Sequence, residues 1–466
     1  MSTHFVIIGN GAAGYRAAKA IRRADGDARI SVFSEERHPF YLRRQLGDFL
    51  AGHLTLDELI FQSRNAYRRE RIDLFLMTRV THLDPSAHEA TFASGQQIRY
   101  DRLLVATGTR AAPPAIPGIS LDGVASLDTL TAAQEVQRFL SAARQAAILG
   151  EGVLGLALAE SLTKRGLRVT QVIRRERFWP ELLDETTGGL VESVLEANGV
   201  VLRRNAEPRA IVGSGNRAIG IETTSGEAFP ADLIVCGCRR RPNIDLVEGS
   251  GLEVGRGLRV NASLGTSHPD IFAAGDVAEL AESDEGQDES APFCWQRAWA
   301  QGGLAAASML GRPAEAAAEA IRVRTAVFGH DLAVIGRGNL QEKQAADIEV
   351  VERRGQPGVY RRLVFDKGLL VGAIVFGTGE SVHELNQLVA EKAPRAAVND
   401  AIAVDVPAPA EGFLPQTFAQ HCPICASELS IHQGARVGSA ICCAACNTDL
   451  VVRWDGRRGW LEIPNH

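Results

Sequence analysis

An α/β fold with two Rossmann-like dinucleotide-binding domains, an α+β C-terminal domain and a small zinc-ribbon-like module is what this sequence predicts, on three observations. Gly9-Asn10-Gly11-Ala12-Ala13-Gly14 follows the apolar run Phe5-Val6-Ile7-Ile8, and Gly150-Glu151-Gly152-Val153-Leu154-Gly155 follows Ala146-Ala147-Ile148-Leu149 about 140 residues later. From about Ile321 to Leu388 the pattern becomes a series of strands closed by a helix. Near the C-terminus stand Cys422-Pro423-Ile424-Cys425 and, seventeen residues on, Cys443-Ala444-Ala445-Cys446. A glycine turn between a strand and a helix lets backbone approach a pyrophosphate and aims the helix N-terminus at it. One such turn suggests one dinucleotide. Two suggest a flavin and a nicotinamide dinucleotide side by side.

The 466 residues are enough for about three domains. The net charge of −6 argues against a nucleic-acid or anionic-membrane partner. Apolar stretches fall short of a membrane span, and the N-terminus enters a strand within five residues, so a cytoplasmic location is expected. Five of the eight cysteines lie within 25 residues, a spacing for metal rather than a disulfide framework.

After Gly14, Tyr15 to Arg23 reads as a helix, and Arg29 to Phe33 as the second strand. Glu35, just past that strand, stands where a carboxylate accepts from both ribose hydroxyls and repels a 2′-phosphate, which suits FAD. Three further segments follow: Tyr100 to Gly108, a strand ending on a small-residue turn; Arg241-Pro242-Asn243; and Ile271 to Asp276, a buried strand ending in an acid.

In order and spacing these segments resemble the pyridine nucleotide–disulfide oxidoreductase family, the two-dinucleotide flavoprotein reductases, over about residues 4 to 390. The resemblance implies an FAD-dependent NAD(P)H oxidoreductase. It implies that Gly9, Asn10, Gly11, Ala12, Ala13 and Gly14 hold the FAD pyrophosphate and that Val80 meets the adenine. It further implies that Ala106, Thr107 and Gly108 line the flavin and that Asp276 accepts from the ribityl chain. The first cysteine is Cys236, so the region His38 to Leu46 offers no sulfur beside the flavin for disulfide or peroxide reduction. Tyr41, Arg43 and Leu46 resemble the Y-x-R-x-x-L stretch of ferredoxin and rubredoxin reductases and of the nitrite reductase flavoprotein. Trp295, in Cys294-Trp295-Gln296-Arg297-Ala298, resembles the residue packed near the isoalloxazine in that branch. The chain departs from the branch at Asp48, where many relatives carry lysine, and at Ala157, where they carry glutamate. The implied electron acceptor is a protein such as a ferredoxin or rubredoxin. The competing expectation is a redox-sensing or assembly module with a protein-docking ribbon.

In the second half, Gly150, Gly152, Val153, Leu154 and Gly155 open a helix that Gly166 ends. Past the strand Leu167 to Val172, the place of the usual NAD acid holds Ile173, then Arg174 and Arg175. Arginine grips a 2′-phosphate in bidentate fashion, which favours NADPH, with NADH left open. Gly237 is expected near the nicotinamide domain.

The expected organisation is residues 1–118 with 240–315 for FAD, 119–239 for NAD(P), 316–392 as an interface domain, 393–420 as an Ala/Pro linker and 421–466 as the ribbon-like module. By resemblance the interface domain packs on the flavin domain or on a partner subunit, which leaves a homo-oligomer open. C-x₂-C…C-x₂-C at this spacing points to zinc on Cys422, Cys425, Cys443 and Cys446. Four thiolates also serve iron, which would take single electrons from the flavin.

Overall fold

The computed structural model describes residues 2–237, 240–280, 294–312, 320–341, 347–355, 358–377 and 382–398, with 418–422, 428–431, 440–443, 448–454 and 459–462 beyond them. The first sheet is parallel, in the order Ile271–Ala273, Arg102–Val105, His4–Ile8, Arg29–Phe33, Asp73–Phe75. Strand His4–Ile8 is buried along its whole length, as a parallel strand covered on both faces must be. Helix Ala12–Ala24 covers one face and packs on helix Trp295–Met309. Gly302 permits that contact, because a Cβ there would stand 2.3 Å from the Ala13 carbonyl oxygen.

The second sheet repeats the plan in the order Val201–Arg203, Arg168–Val172, Gln145–Leu149, Leu233–Cys236, Val124–Ser126, again parallel. In both sheets the strand before the glycine turn lies between the strand that follows it and a much later one. The chain therefore reverses its direction of winding at the turn, the point where such sheets open a crevice at their carboxyl ends.

The third sheet is antiparallel, in the order Ile321–Val327, His330–Gly336, Leu369–Gly377, Tyr360–Asp366, Ile348–Arg354, with helix Val382–Ala390 beside it. Its alternation decides its neighbours. Leu332, Val334, Ile374 and Phe376 join the core of the second sheet with Leu156 and Trp179. Ala333, Ile335, Ala373 and Val375 face the other way and pack with Val382, Leu385 and Val389 of the helix. One face therefore joins the core of the second sheet, a cluster that also takes in Tyr41, Leu46 and Phe49 from the first part of the chain. Polar clasps fix it there: the Phe328 N–H donates to Glu160 Oε2 (2.8 Å), Asn339 Nδ2 to the Glu181 carbonyl (2.6 Å) and the Tyr360 hydroxyl to Asp184 Oδ2 (3.1 Å).

At the C-terminus, Phe418–His421 pairs with Glu428–Ile431, and Ala440–Cys443 with Thr448–Trp454 and then Gly459–Glu462, all antiparallel. Cys422 directly follows the first strand of one hairpin, and Cys443 ends the first strand of the other. Both are buried, with Leu429, Leu450 and Leu461, in the same cluster as the core of the first sheet.

Candidate functional site

Both glycine turns open onto one cleft of about 2060 Å³. That is well above the ~300–1,000 Å³ of an ordinary small-ligand site and has room for two dinucleotides. Gly9, Asn10, Gly11, Ala12 and Ala13 line it from one side, and Gly150, Glu151, Gly152, Val153 and Leu154 from the other.

The glycines divide the work in the same way at both turns. A Cβ on Gly9, whose φ is +110°, would lie 2.1 Å from the Ala106 carbonyl oxygen, and one on Gly150, φ +145°, 2.2 Å from that of Gly237. Gly14 and Gly155 sit beneath their turns, where a Cβ would lie 1.9 Å from the Gly9 oxygen and 2.5 Å from the Gly150 oxygen. Gly11 has nothing within 4 Å of that position. It is a bare spot of backbone facing the cleft, where a ligand's phosphate could come close.

Glu35, Val80, Ala106, Thr107, Gly108 and Asp276 also line the cleft on the first-sheet side. Glu35 is 64% exposed, with Arg79 Nε 4.0 Å away. The Thr107 hydroxyl donates to the Asn243 carbonyl (2.8 Å), and Asn243 Nδ2 donates back to the Thr107 carbonyl (2.9 Å), locking the turn that Gly108 completes at φ +63°. Asp276 Oδ1 and Asn10 Nδ2 are shielded from solvent without a hydrogen-bond partner among the described residues. Burial pushes the Asp276 carboxyl above its ordinary range, against the charges of Arg240, Arg297 and Arg43. A buried acceptor left open in this way fits a bound ligand's hydroxyl.

Arg43 lines the cleft too, but its guanidinium is already engaged, by an ion pair with Glu36 and by donation to the Asp128 carbonyl. Tyr41 completes that brace: its hydroxyl donates to Glu36 Oε2 (2.7 Å) and accepts the Leu130 N–H (3.0 Å). The Y-x-R stretch thus ties the first domain to the start of the second. Trp295 lines the cleft, stacks on Trp299 (4.9 Å between centroids) and carries the Arg44 guanidinium 5.5 Å above its ring.

On the second-sheet side Arg174 and Arg175 are exposed at the cleft, Arg175 reaching Glu181 at 3.5 Å, and Gly237 lines the wall. Sequence reasoning passed over Glu151. Its Oε2 is shielded and lacks a hydrogen-bond partner among the described residues, and burial, then the charge of Glu181, pushes its carboxyl up to about 7 against Arg174 and Arg175. An acid at the second position of a phosphate-binding turn was the available signal. Cys422 and Leu461 also lie on the cleft wall. Cys425 and Cys446 lie outside the described residues. No helix among the described residues is long and apolar enough to cross a membrane.

Two parallel sheets with their switch-point turns facing one cleft define a two-nucleotide α/β enzyme. The chain belongs to the pyridine nucleotide-disulphide oxidoreductase family, whose profile matches residues 3–302. It is 32% identical to the biphenyl dioxygenase system ferredoxin–NAD(+) reductase component of Paraburkholderia xenovorans, over 71% of this chain and 80% of that one. It is 29% identical to the assimilatory nitrate reductase electron transfer subunit of Bacillus subtilis, over 83% of this chain and 49% of that protein, so the chain spans about half that relative's length. Among solved structures it resembles an NAD-dependent persulfide reductase from A. fulgidus, with a TM-score of 0.75 and 26% identity over 84% of this chain and 77% of that one.

Proposed function

We propose that this protein is an FAD-dependent NAD(P)H oxidoreductase that delivers electrons to a protein redox acceptor of the ferredoxin or rubredoxin kind. The observation that carries this reading is the single cleft shared by both glycine turns. Bound there, the flavin supplies conversion of a two-electron hydride into single electrons.

The residues divide as follows. Gly11 offers open backbone to the FAD pyrophosphate, Glu35 takes the ribose hydroxyls, and Asp276 Oδ1 and Asn10 Nδ2 are the unfilled polar groups for the rest of the chain. Gly150 to Gly155 receive the nicotinamide dinucleotide's pyrophosphate. Arg174 and Arg175, with Ile173 buried in the acid's usual place, suit a 2′-phosphate and hence NADPH. Arg43 holds the two domains in register through Glu36 and the Asp128 carbonyl. The likeness to a ferredoxin–NAD(+) reductase component supports a protein acceptor. The lack of cysteine before Cys236 separates the chain from disulfide reduction.

The four C-terminal cysteines are assigned one metal ion, with the C-x₂-C…C-x₂-C spacing supporting zinc. The hairpins are compatible with this, since Cys422 directly follows the first strand of one and Cys443 ends the first strand of the other.

Steady-state oxidation of NADPH or NADH with one-electron acceptors tests the reading. Turnover with a protein acceptor is expected. Flavin that bleaches on reduction but turns over with no acceptor would contradict it.

A further inference from the structure

The two nucleotide turns differ in where a ribose-binding acid can come from. At the first, Glu35 stands just past strand Arg29–Phe33 and lines the cleft. At the second, the place of that acid past strand Arg168–Val172 holds Ile173, which is fully buried. An acid nevertheless reaches this part of the cleft. Glu181 lines it together with Arg174, Arg175 and Trp179. Glu181 Oε1 lies 3.5 Å from Arg175 Nη2, and the two side chains are 35% and 65% exposed, so both members of the pair are open to a ligand. The Glu181 charge is also felt by Glu151, within the turn itself.

The loop that carries these groups is firmly built. Trp179 sits at φ +50°, a left-handed backbone that an aromatic residue rarely adopts. Its carbonyl accepts the Leu182 and Leu183 N–H groups (3.1 and 3.0 Å). Its indole Cζ2 stands 3.9 Å from where a Cβ on Gly152 would lie, which brings the loop up to the glycine turn. The Glu181 carbonyl accepts from Asn339 Nδ2 (2.6 Å), in the turn after strand His330–Gly336 of the third sheet. Glu181 is thus held at its backbone while its carboxylate reaches the cleft beside Arg175.

We infer that Glu181 is the ribose-binding acid of the second site, supplied from this loop instead of from the strand end, and that with Arg175 it sets the choice between NADH and NADPH. This rests on the reading of the second turn as the nicotinamide dinucleotide's site and names the residue that decides which dinucleotide it takes. With NADH, the carboxylate accepts from the adenosine ribose hydroxyls. With NADPH, Arg174 and Arg175 grip the 2′-phosphate, Arg175 gives up its pairing with Glu181, and the carboxylate repels the phosphate. One acid favours NADH and disfavours NADPH while the two arginines do the reverse, so the site takes both.

Calorimetric titration of the flavin-loaded chain with ADP-ribose and with 2′-phospho-ADP-ribose, the two dinucleotides without their nicotinamide, tests this apart from turnover. The wild-type chain should bind both. Glu181→Gln should weaken ADP-ribose about tenfold or more, the loss of hydrogen bonds to a charged acceptor, and should tighten 2′-phospho-ADP-ribose. Arg175→Ala should move the ratio of the two dissociation constants the opposite way. A merely structural carboxylate would shift both affinities alike. A Glu181→Gln chain with the wild-type ratio, or a wild-type chain that binds only one of the two ligands, would overturn the inference. A wild-type chain that binds neither would instead overturn the assignment of the second turn to a nicotinamide dinucleotide.

Discussion

Gly9 and Gly11 stand two residues apart and should respond to substitution in opposite ways. Gly9→Ala places a Cβ against the Ala106 carbonyl at a backbone angle that L-residues resist, so it should damage the fold. Gly11→Ala meets no protein atom and intrudes only where the pyrophosphate belongs. That variant should fold with near-native thermal stability yet purify with little flavin, as read from the flavin-to-protein absorbance ratio. Glu151 makes a pH prediction. Its carboxyl titrates at about 7, so it is neutral below that pH and charged above it, and the charged form repels the dinucleotide's phosphates. KM for NADPH should therefore climb as the pH rises from 6 to 8, and Glu151→Gln should flatten that climb. Because the folded state favours the neutral acid, the stability Glu151 contributes at low pH is lost as pH rises toward and through about 7. Glu151→Gln should accordingly melt higher than wild type at pH 8 and not at pH 4. Replacing Arg174 and Arg175 together with alanine should raise KM for NADPH about ten- to a hundredfold, the cost of losing charge-assisted contacts to a phosphate, and leave KM for NADH close to its original value.

The interlock between the second and third sheets hangs on few polar groups. Asp184 caps helix Glu185–Ala197 through the Thr186 N–H (3.2 Å) and also receives the Thr187 and Tyr360 hydroxyls. Tyr360 is fully buried and its hydroxyl bonds Glu352 and Arg362 as well as Asp184, so Tyr360→Phe removes this small network with little change in volume. It should cost about 1 kcal/mol, measured by denaturant midpoint. The strands and helices themselves were legible in the sequence wherever an apolar run met a glycine turn. Arg29–Phe33 was read to the residue, and the helix after Gly150 within a residue or two of its end. Alternation gave the third sheet's strands, but not which face would meet which neighbour, because both faces are apolar and the choice is tertiary. Arg43 shows the same limit. Its motif placed it at the cleft, yet only the folded chain shows Glu36 and the Asp128 carbonyl occupying its guanidinium. Glu151 went unseen because the charges that act on it, Glu181, Arg174 and Arg175, lie far along the chain.

Across the molecule, two mononucleotide-type halves face one another and a third sheet braces the second from outside. The same cleft receives a sulfur from the far C-terminus. Nothing local in the sequence could place Cys422 on the cleft that Trp295 also lines. The proposed function requires both dinucleotides to occupy the cleft together with their reactive rings in reach. Anaerobic mixing of the purified protein with NADPH, followed at the flavin absorption, tests this most directly. The bound flavin should bleach in a single turnover at a rate that saturates with NADPH concentration. A chain that purifies without flavin and takes none up on reconstitution, or one whose bound flavin stays oxidised in excess NADPH and NADH alike, would contradict it.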